Sequence, residues 1–306
     1  MLRRPITPAA LLVACIALFA NANAIAGENS NLSKLRSDWA VGPQYDFTHV
    51  YVAPEELDRF VASFVGTFGG TTSKKVVTTI TPTPSETTSQ FVQSPVGPLS
   101  VFGFKTPIPY PFGAERTGYL VADLDAALRA AQSDGVNIIV APFPDPIGRD
   151  AVIQWSGGVN MQVYWHTTAP SCSSLKTIRE NRVYLSTSKA DEFVEQFIRF
   201  SNGRIASDNA HAPGVEIGRP TDTYRLIRIE SLFGKLRIIV TDGHLPYPYG
   251  RELTGYEVAN LAETLHKATM NGAAVLIAPY TSGARQAAMV RFPGGYIAEI
   301  HTPNGK

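Results

Sequence analysis

Cysteine is scarce in this sequence, and long runs of one charge are missing from it. The 306 residues contain two cysteines, Cys15 and Cys172, and no CxxC pair. Two cysteines cannot build the disulfide framework that holds many small secreted domains together. No run of Lys and Arg exceeds two residues and the formal net charge is +1. The sequence therefore argues against a nucleic-acid-binding surface and against a polybasic membrane patch.

The short motifs of several enzyme classes are also absent. The sequence contains no GxSxG, no phosphate-binding loop and no HExxH. What is present is an ordinary globular balance, with 44% hydrophobic and 17% charged residues. A chain of 306 residues is long enough for two domains of roughly 100–200 residues each.

The N-terminus has the layout of a secretory signal. Arg3 and Arg4 precede the apolar stretch AALLVACIALFA, and the small residues of ANANAIAG follow. We expect residues 1–26 to be a signal peptide, and the protein to be exported to the periplasm or secreted, with no membrane contact afterwards. The apolar run of about a dozen residues is shorter than the ~20 that span a bilayer. A lipoprotein attached through Cys15 is an alternative, but the apolar run continues past that cysteine.

The chain states one pattern twice. PYPFGAERTGY, at residues 109–119, returns as PYPYGRELTGY at 246–256, a spacing of 137. HVYVAPEELDRFVASF returns as RVYLSTSKADEFVEQF, here at a spacing of 133. Such self-similarity indicates a duplicated structural unit. We predict two domains, 46–168 and 181–304, joined by a linker at 169–180.

Each unit is predicted to contain two βαβββ halves. THVYV alternates as a strand does, and EELDRFVASFVGTF places Phe60 and Phe64 on one helical face. Asp123 and Asn260 stand where they can cap the second helix of each unit. The shared letters PYPxG and TGY are interpreted as structural, because Pro and Gly turn the chain into the next strand.

Paired βαβββ halves resemble the vicinal oxygen chelate superfamily, which includes glyoxalase I, bleomycin resistance proteins and extradiol dioxygenases. The resemblance is carried by THVYV, by YLVADLDAALRAAQSDGV and by the closing phrases GGVNMQV and GGYIAEI. It covers residues 46 to 303. The resemblance implies an α+β fold of tandem glyoxalase-like domains, in which two halves form one curved mixed sheet, or cup.

In that family a divalent metal sits in the cup, held by His, Gln or Glu side chains on three strands. The matching positions hold His49, Arg116 and Gln162 in the first unit, and Arg182, Leu253 and Glu299 in the second. Arginine offers only donors and leucine offers nothing, so neither can ligate a metal. We therefore expect no metal cofactor. If a divalent metal were found, the candidate ligands would be His49, Gln162 and Glu299.

The first cup is the candidate functional site. In the functional interpretation, His49 can act as a base near neutral pH and Arg116 can bind a carboxylate or an enolate oxygen, and these two residues are the catalytic candidates. Four further side chains are expected to contact a ligand, namely Tyr51, Tyr110, Gln162 and Tyr164. The alternative is a filled core, in which Arg116 is paired with an acidic residue and no ligand binds.

The second cup is expected to differ from the first, because Leu253 replaces Arg116. We predict a structural ion pair between Arg182 and Glu299 in the place of a metal. The alternative is a different metal site, formed by Glu257, Glu299 and His301.

Three functions remain open at this stage. The first is the binding of a small molecule in the first cup, with both metal sites degenerate. The second is a divalent-metal-dependent lyase, isomerase or dioxygenase of the glyoxalase type, or a metal-free enzyme using His49 and Arg116. The third is a non-catalytic structural or interaction protein. The expected partner is a small molecule and not nucleic acid, and a homodimer stays open.

Overall fold

The computed structural model describes residues 39–108, 116–168, 172, 174–241, 252–283 and 285–303. The predicted signal peptide, Cys15 and Tyr110 lie outside these residues, as does the side chain of Arg116. Among the helices described, none combines the length and the apolar character that crossing a membrane requires.

The first sheet is built from residues 47–166. Its strands are β1 (Phe47–Val52), β2 (Thr71–Thr72), β3 (Val76–Thr78), β4 (Thr87–Ser94), β5 (Gly97–Phe104), β6 (Arg116–Leu120), β7 (Asn137–Pro144), β8 (Gly148–Trp155) and β9 (Val159–His166). Their spatial order is β2-β4-β5-β1-β6-β9-β8-β7, with β3 also paired to β4. The two βαβββ halves therefore meet along β1 and β6, which run antiparallel.

The second sheet repeats this arrangement with residues 180–301. Its strands are β10 (Glu180–Ser186), β11 (Arg204–Pro213), β12 (Thr223–Ser231), β13 (Gly234–Thr241), β14 (Glu252–Glu257), β15 (Ala274–Ser282), β16 (Arg285–Arg291) and β17 (Ile297–His301). The order is β11-β12-β13-β10-β14-β17-β16-β15. Parallel pairs, β10 with β13 and β14 with β17, lie among antiparallel ones. The predicted α+β fold of four βαβββ halves is confirmed.

Four α-helices in the described residues cover one face of the two sheets. They are α1 (Leu57–Phe68), α2 (Leu124–Ser133), α3 (Thr187–Ser201) and α4 (Leu261–Met270). The side chain of Asp123 accepts from the backbone N–H of Ala126 at 2.9 Å, and Asn260 caps α4 in the same way through Glu263 at 3.0 Å. Both caps satisfy a backbone donor that the first helical turn leaves unpaired.

The two hydrophobic cores are shared between the two units. In one core, Phe60 and Phe64 of α1 pack against second-unit rings, with Phe64 lying 5.5 Å from Tyr256 between ring centroids. In the other, Trp155 of β8 lies 5.5 Å from Phe197 of α3. Neither unit buries its helices alone, so the units pair within one chain and each core depends on both copies.

Candidate functional site

Strand register places the predicted first-cup residues on neighbouring strands. Val50 and Val52 of β1 point into a shared core, so the alternate residues His49 and Tyr51 point into the cup. The backbone of Arg116 on β6 lies directly opposite His49. The matched positions of the repeat are therefore adjacent in space, although the side chain of Arg116 is outside the described part.

Gly118 explains one of the letters that both copies keep. It lies inside β6, beside Gln162 of β9. A Cβ at Gly118 would lie 2.6 Å from Cε1 of His49 and 2.9 Å from Cε1 of Tyr164. In addition to its expected role at the start of the strand, this glycine leaves the space in which the two rings pack.

Aromatic rings form much of the first cup. The rings on this face are Phe47, Tyr51, Phe91, Phe102, Phe104 and Tyr164. The rings of Tyr51 and Phe102 are 5.5 Å apart, and the His49 ring is 5.7 Å from Phe102. Such a lining suits contact with a flat apolar surface.

The polar groups of the first cup are few and buried. His49 is 6% exposed and Gln162 is 7% exposed. The hydroxyl of Tyr164 donates to the backbone carbonyl of Tyr45, and burial raises its pKa well above the usual value. Tyr164 therefore offers a ring face to a ligand, while its hydroxyl proton is already engaged.

The second cup contains the predicted pair of Arg182 and Glu299. Nη1 of Arg182 lies 3.1 Å from Oε1 of Glu299, and both side chains are fully buried. Gly255 of β14 lies beside Glu299, and a Cβ there would approach its Oε2 to 2.5 Å. This glycine makes room for the buried carboxylate, as Gly118 makes room for the rings of the first cup.

Glu216 is the centre of a larger network that the sequence analysis missed. It belongs to a short 3-10 turn, Gly214–Ile217, that follows β11 and closes over the cup. Its carboxylate accepts from Nη2 of Arg182 at 2.8 Å and from Nη2 of Arg237 at 2.8 and 2.9 Å. The hydroxyl of Tyr224 donates to it at 2.6 Å. Charge-assisted bonds of this kind are the strong ones in a protein interior.

Arg285 joins two further carboxylates and was also missed. Its Nη1 donates to Glu180 at 2.6 Å, and its Nη2 donates to both oxygens of Glu299 at 2.6 and 2.7 Å. The guanidinium therefore lies between the two acids, where it bridges β10 and β17. Planar two-pronged donation matches carboxylate geometry, which lysine could not reproduce.

The pKa shifts indicate that these carboxylates are ionised. Burial raises the pKa of Glu180, but the charges of Arg285 and Arg237 outweigh it and lower that pKa to about 2. Burial also raises the pKa values of Glu216 and Glu299. The charges of the neighbouring arginines more than offset this effect, so both pKa values are lowered. The second cup is therefore filled by compensated charge.

Solved structures of three enzymes resemble this chain. A mutant of 4-hydroxymandelate synthase from Streptomyces coelicolor aligns with a TM-score of 0.58 and 13% identity, over 85% of this chain and 92% of that one. The Mn(II)-bound glyoxalase from Novosphingobium aromaticivorans aligns with a TM-score of 0.54 and 10% identity, over 87% of this chain and 84% of that one. The 2,2',3-trihydroxybiphenyl 1,2-dioxygenase from Sphingomonas wittichii aligns with a TM-score of 0.52 and 10% identity, over 84% of this chain and 89% of that one. This chain has the vicinal oxygen chelate fold. No protein-family model and no curated protein matches its sequence.

The vicinal oxygen chelate fold implies a metal in the cup, and the second cup does not fit one. Ligand atoms of Glu180, Glu299 and His301 do lie within 4.8 Å of one another. Arg285, however, donates to both carboxylates of that group. A fixed positive charge with no acceptor occupies the side of these acids that a cation would need. Glu257, expected in an alternative metal set, lies 4.0 Å from Nε2 of His301, and the same carboxylate oxygen lies 3.6 Å from Nζ of Lys235.

The first cup does not supply a metal site from its described residues either. No described group of three His, Cys, Asp or Glu side chains includes His49. His49 and Gln162 remain two neutral ligands on strands separated by β6. Two neutral ligands leave a divalent ion without charge compensation, whereas catalytic zinc sites use three protein ligands.

The repeat spacing pairs six polar residues of the second cup with residues of the first cup that carry no fixed charge. The pairs are Glu180 with Phe47, Arg182 with His49, Arg237 with Ser100, Arg285 with Gly148, Glu299 with Gln162 and His301 with Tyr164. The registers agree, since His49 lies beside Ser100 and Arg182 lies beside Arg237. The first cup does hold one buried carboxylate, Asp150, directly opposite Tyr164, so the two cups differ in the number and pairing of their charges.

Proposed function

We propose that this protein is exported and binds a small, flat molecule in its first cup without a metal. In the second cup, buried ion pairs stand in the place of the metal. Export is proposed from the signal-like sequence of residues 1–26. The proposal assigns both metal positions of the vicinal oxygen chelate fold as degenerate.

One observation carries this proposal, namely the contrast between equivalent positions of the two cups. Arg182 and Glu299 are buried in mutual ion pairs, whereas His49 and Gln162 replace them in an aromatic surround. In the second cup the equivalent positions hold side chains that are ion-paired with each other. The first cup instead keeps hydrogen-bonding groups that can orient a ligand.

The chemistry of the first cup favours an aromatic or other planar ligand with one or two polar atoms. Phe102 and Tyr51 offer ring faces, and the amide of Gln162 can both donate and accept. The imidazole of His49 can hold or move a proton at a ligand oxygen. Arg116 completes the proposed site from the strand position opposite His49.

Ligand-observed NMR on residues 27–306 tests the binding function, with benzoate, phenol and indole as probes. Saturation transfer is expected for at least one probe. His49→Ala is expected to weaken binding by up to about tenfold, the value of one hydrogen bond. His266→Ala is the matched control, because His266 is exposed on α4 and outside both cups. No transfer from any probe, or equal transfer with both variants, would count against the proposal.

Elemental analysis tests the metal-free part independently. The tag-free chain is dialysed against Mn, Fe, Ni and Zn and then freed of unbound ions. We expect well under one divalent ion per chain. Close to one ion per chain, lost in His49→Ala, would overturn the degenerate-site proposal and favour a metal-dependent enzyme of the glyoxalase or dioxygenase type.

A further inference from the structure

Three arginines lie side by side across three strands of the second cup. Arg228 of β12 is directly opposite Arg237 of β13, and Arg237 is beside Arg182 of β10. Leu226, two residues before Arg228, packs inside the same cup, so the row faces inward. Like charges at directly opposed positions of neighbouring strands destabilise a sheet unless other groups compensate them.

The acids of the cup compensate only part of this row. Arg182 is paired with Glu216 and Glu299, Arg237 with Glu216 and, at 3.6 Å, with Glu180, and Arg285 with Glu180 and Glu299. Four inward-facing arginines thus stand against three glutamates.

Of the three arginines in this row, Arg228 is the one for which the described residues form no ion pair within 4.0 Å. It is only partly exposed, and its Nε is buried without a hydrogen-bond acceptor. Burial, and then the neighbouring charge of Arg237, lower the pKa of Arg228. An arginine with buried donors and a like-charged neighbour is in the state that an anion would relieve.

A cavity of about 160 Å³ opens beside this arginine. Arg228, Lys235 and Arg237 form its basic walls. Arg237 is 1% exposed, and its Nε and Nη1 are buried without a hydrogen-bond acceptor. One water needs only about 10–15 Å³ of such space, so a four-oxygen anion and accompanying waters fit.

The acids in the cavity wall do not cancel this basic character. Glu180 accepts from Arg285 at 2.6 Å, and Glu230 is paired with Arg204 on the neighbouring strand. Their charges are already compensated, and Nε of Arg228 and Nε of Arg237 have no hydrogen-bond acceptor among the described residues.

We infer that this cavity is a binding site for a small oxyanion, a phosphate or a short carboxylate, held between Arg228 and Arg237. The guanidinium of Arg228 supplies a planar pair of donors that matches either anion, and Nε of Arg237, whose Nη2 is bonded to Glu216, adds a further donor. Lys235 adds a third positive charge at the cavity wall. This site is separate from the first cup and does not depend on the function proposed for it.

Thermal unfolding of the 27–306 chain in chloride buffer tests the inference. Inorganic phosphate and acetate are each added at 20 mM, against sodium chloride of equal ionic strength. A dissociation constant near 1 mM would raise Tm by about 4–7 °C over the chloride control. Stabilisation by phosphate alone indicates a site for a tetrahedral anion, and stabilisation by acetate alone indicates a site for a planar carboxylate. Stabilisation by both indicates a site that accepts either anion.

Arg228→Gln is expected to abolish this increase in Tm. It is also expected to weaken binding of the anion at least tenfold, as measured by calorimetric titration. The control is Arg225→Gln. Arg225 is on the same strand as Arg228, but it lies beside Val240, a residue of a shared core, and it is paired with Asp208. Arg225→Gln is expected to keep the response. If Arg228→Gln does not fold, Arg228→Lys retains the charge but loses the planar donor pair, and weaker binding is still expected. No stabilisation beyond chloride, or an equal response with and without Arg228, would overturn the inference.

Discussion

Replacing Glu216 by glutamine changes one atom of the second cup and leaves its shape. Glu216 is 1% exposed and accepts four hydrogen bonds, from Arg182, Arg237 and Tyr224. The amide can accept through one atom only, so two buried guanidinium groups lose their shared counter-charge. Breaking a buried pair by removing one partner costs roughly 3–5 kcal/mol. We expect a fall in Tm of about 6–20 °C, from about 2–4 °C per kcal/mol at this chain length.

Equilibrium unfolding in urea measures this effect, followed by near-UV and far-UV circular dichroism. The matched control is Glu230→Gln, because Glu230 forms an ion pair with Arg204 and both side chains are about half exposed. An exposed pair is worth about 0–1 kcal/mol. A loss below 1 kcal/mol for Glu216→Gln, equal to the control, would refute the conclusion that the carboxylate holds the second cup together.

A double variant separates the ion pair from its burial. In Glu216→Leu with Arg237→Met, the buried acid and one of its arginines are both replaced by apolar groups. Since well-packed apolar residues often match a buried ion network in stability, this chain is expected to be more stable than Glu216→Gln alone. The reverse order would show that the arrangement of charge, and not its compensation, governs stability.

Three further predictions follow from the same geometry. The pKa of Glu180 is lowered to about 2, so its stabilisation is complete above the unfolded value of about 4.3 and is lost as pH falls towards 2; Glu180→Gln should flatten that loss in urea titrations between pH 6 and 3. Gly255→Ala brings a Cβ to 2.5 Å from Oε2 of Glu299 and should cost about 1–3 kcal/mol by thermal unfolding. Phe64→Ala removes a ring shared between the units and should cost about 3–5 kcal/mol in one cooperative transition; two separate transitions would contradict the shared core.

The repeat made most of the fold predictable from the sequence. Side chains of a strand alternate between its two faces. Matching residues at a spacing of 133 or 137 therefore predicts which face of the sheet a residue lies on, as well as its place along the strand. His49 and Arg182 were matched in this way, and both point into a cup beside the expected neighbouring strands. The same alignment contained a signal for Arg237, since GKLRIIV matches GPLSVFG with arginine in the place of Ser100.

The composition of the second cup could not be predicted as readily. Glu216 comes from a turn between β11 and β12, a connection that differs between the copies and has no counterpart in the repeat alignment. Arg285 reaches Glu180 across 105 residues of chain. A charge within an apolar strand predicts a buried partner, but sequence spacing does not identify which one. The ion pair of Arg182 with Glu299 was foreseeable because both stand at matched strand positions.

The strands of the two cups are connected through the hydrophobic cores that both units share. A buried network of this kind often stabilises a protein no more than an apolar filling does, so replacing its members together need not lower the stability. β10 carries Glu180 and Arg182 into the cup, while its alternate residue Val183 packs into the core that also contains Trp155 of the first sheet. Holding β10 in place therefore holds the core against which β8 and β9 rest. Gln162 and Tyr164 of the first cup lie on β9, so residues of both cups stand on strands that pack into this one core.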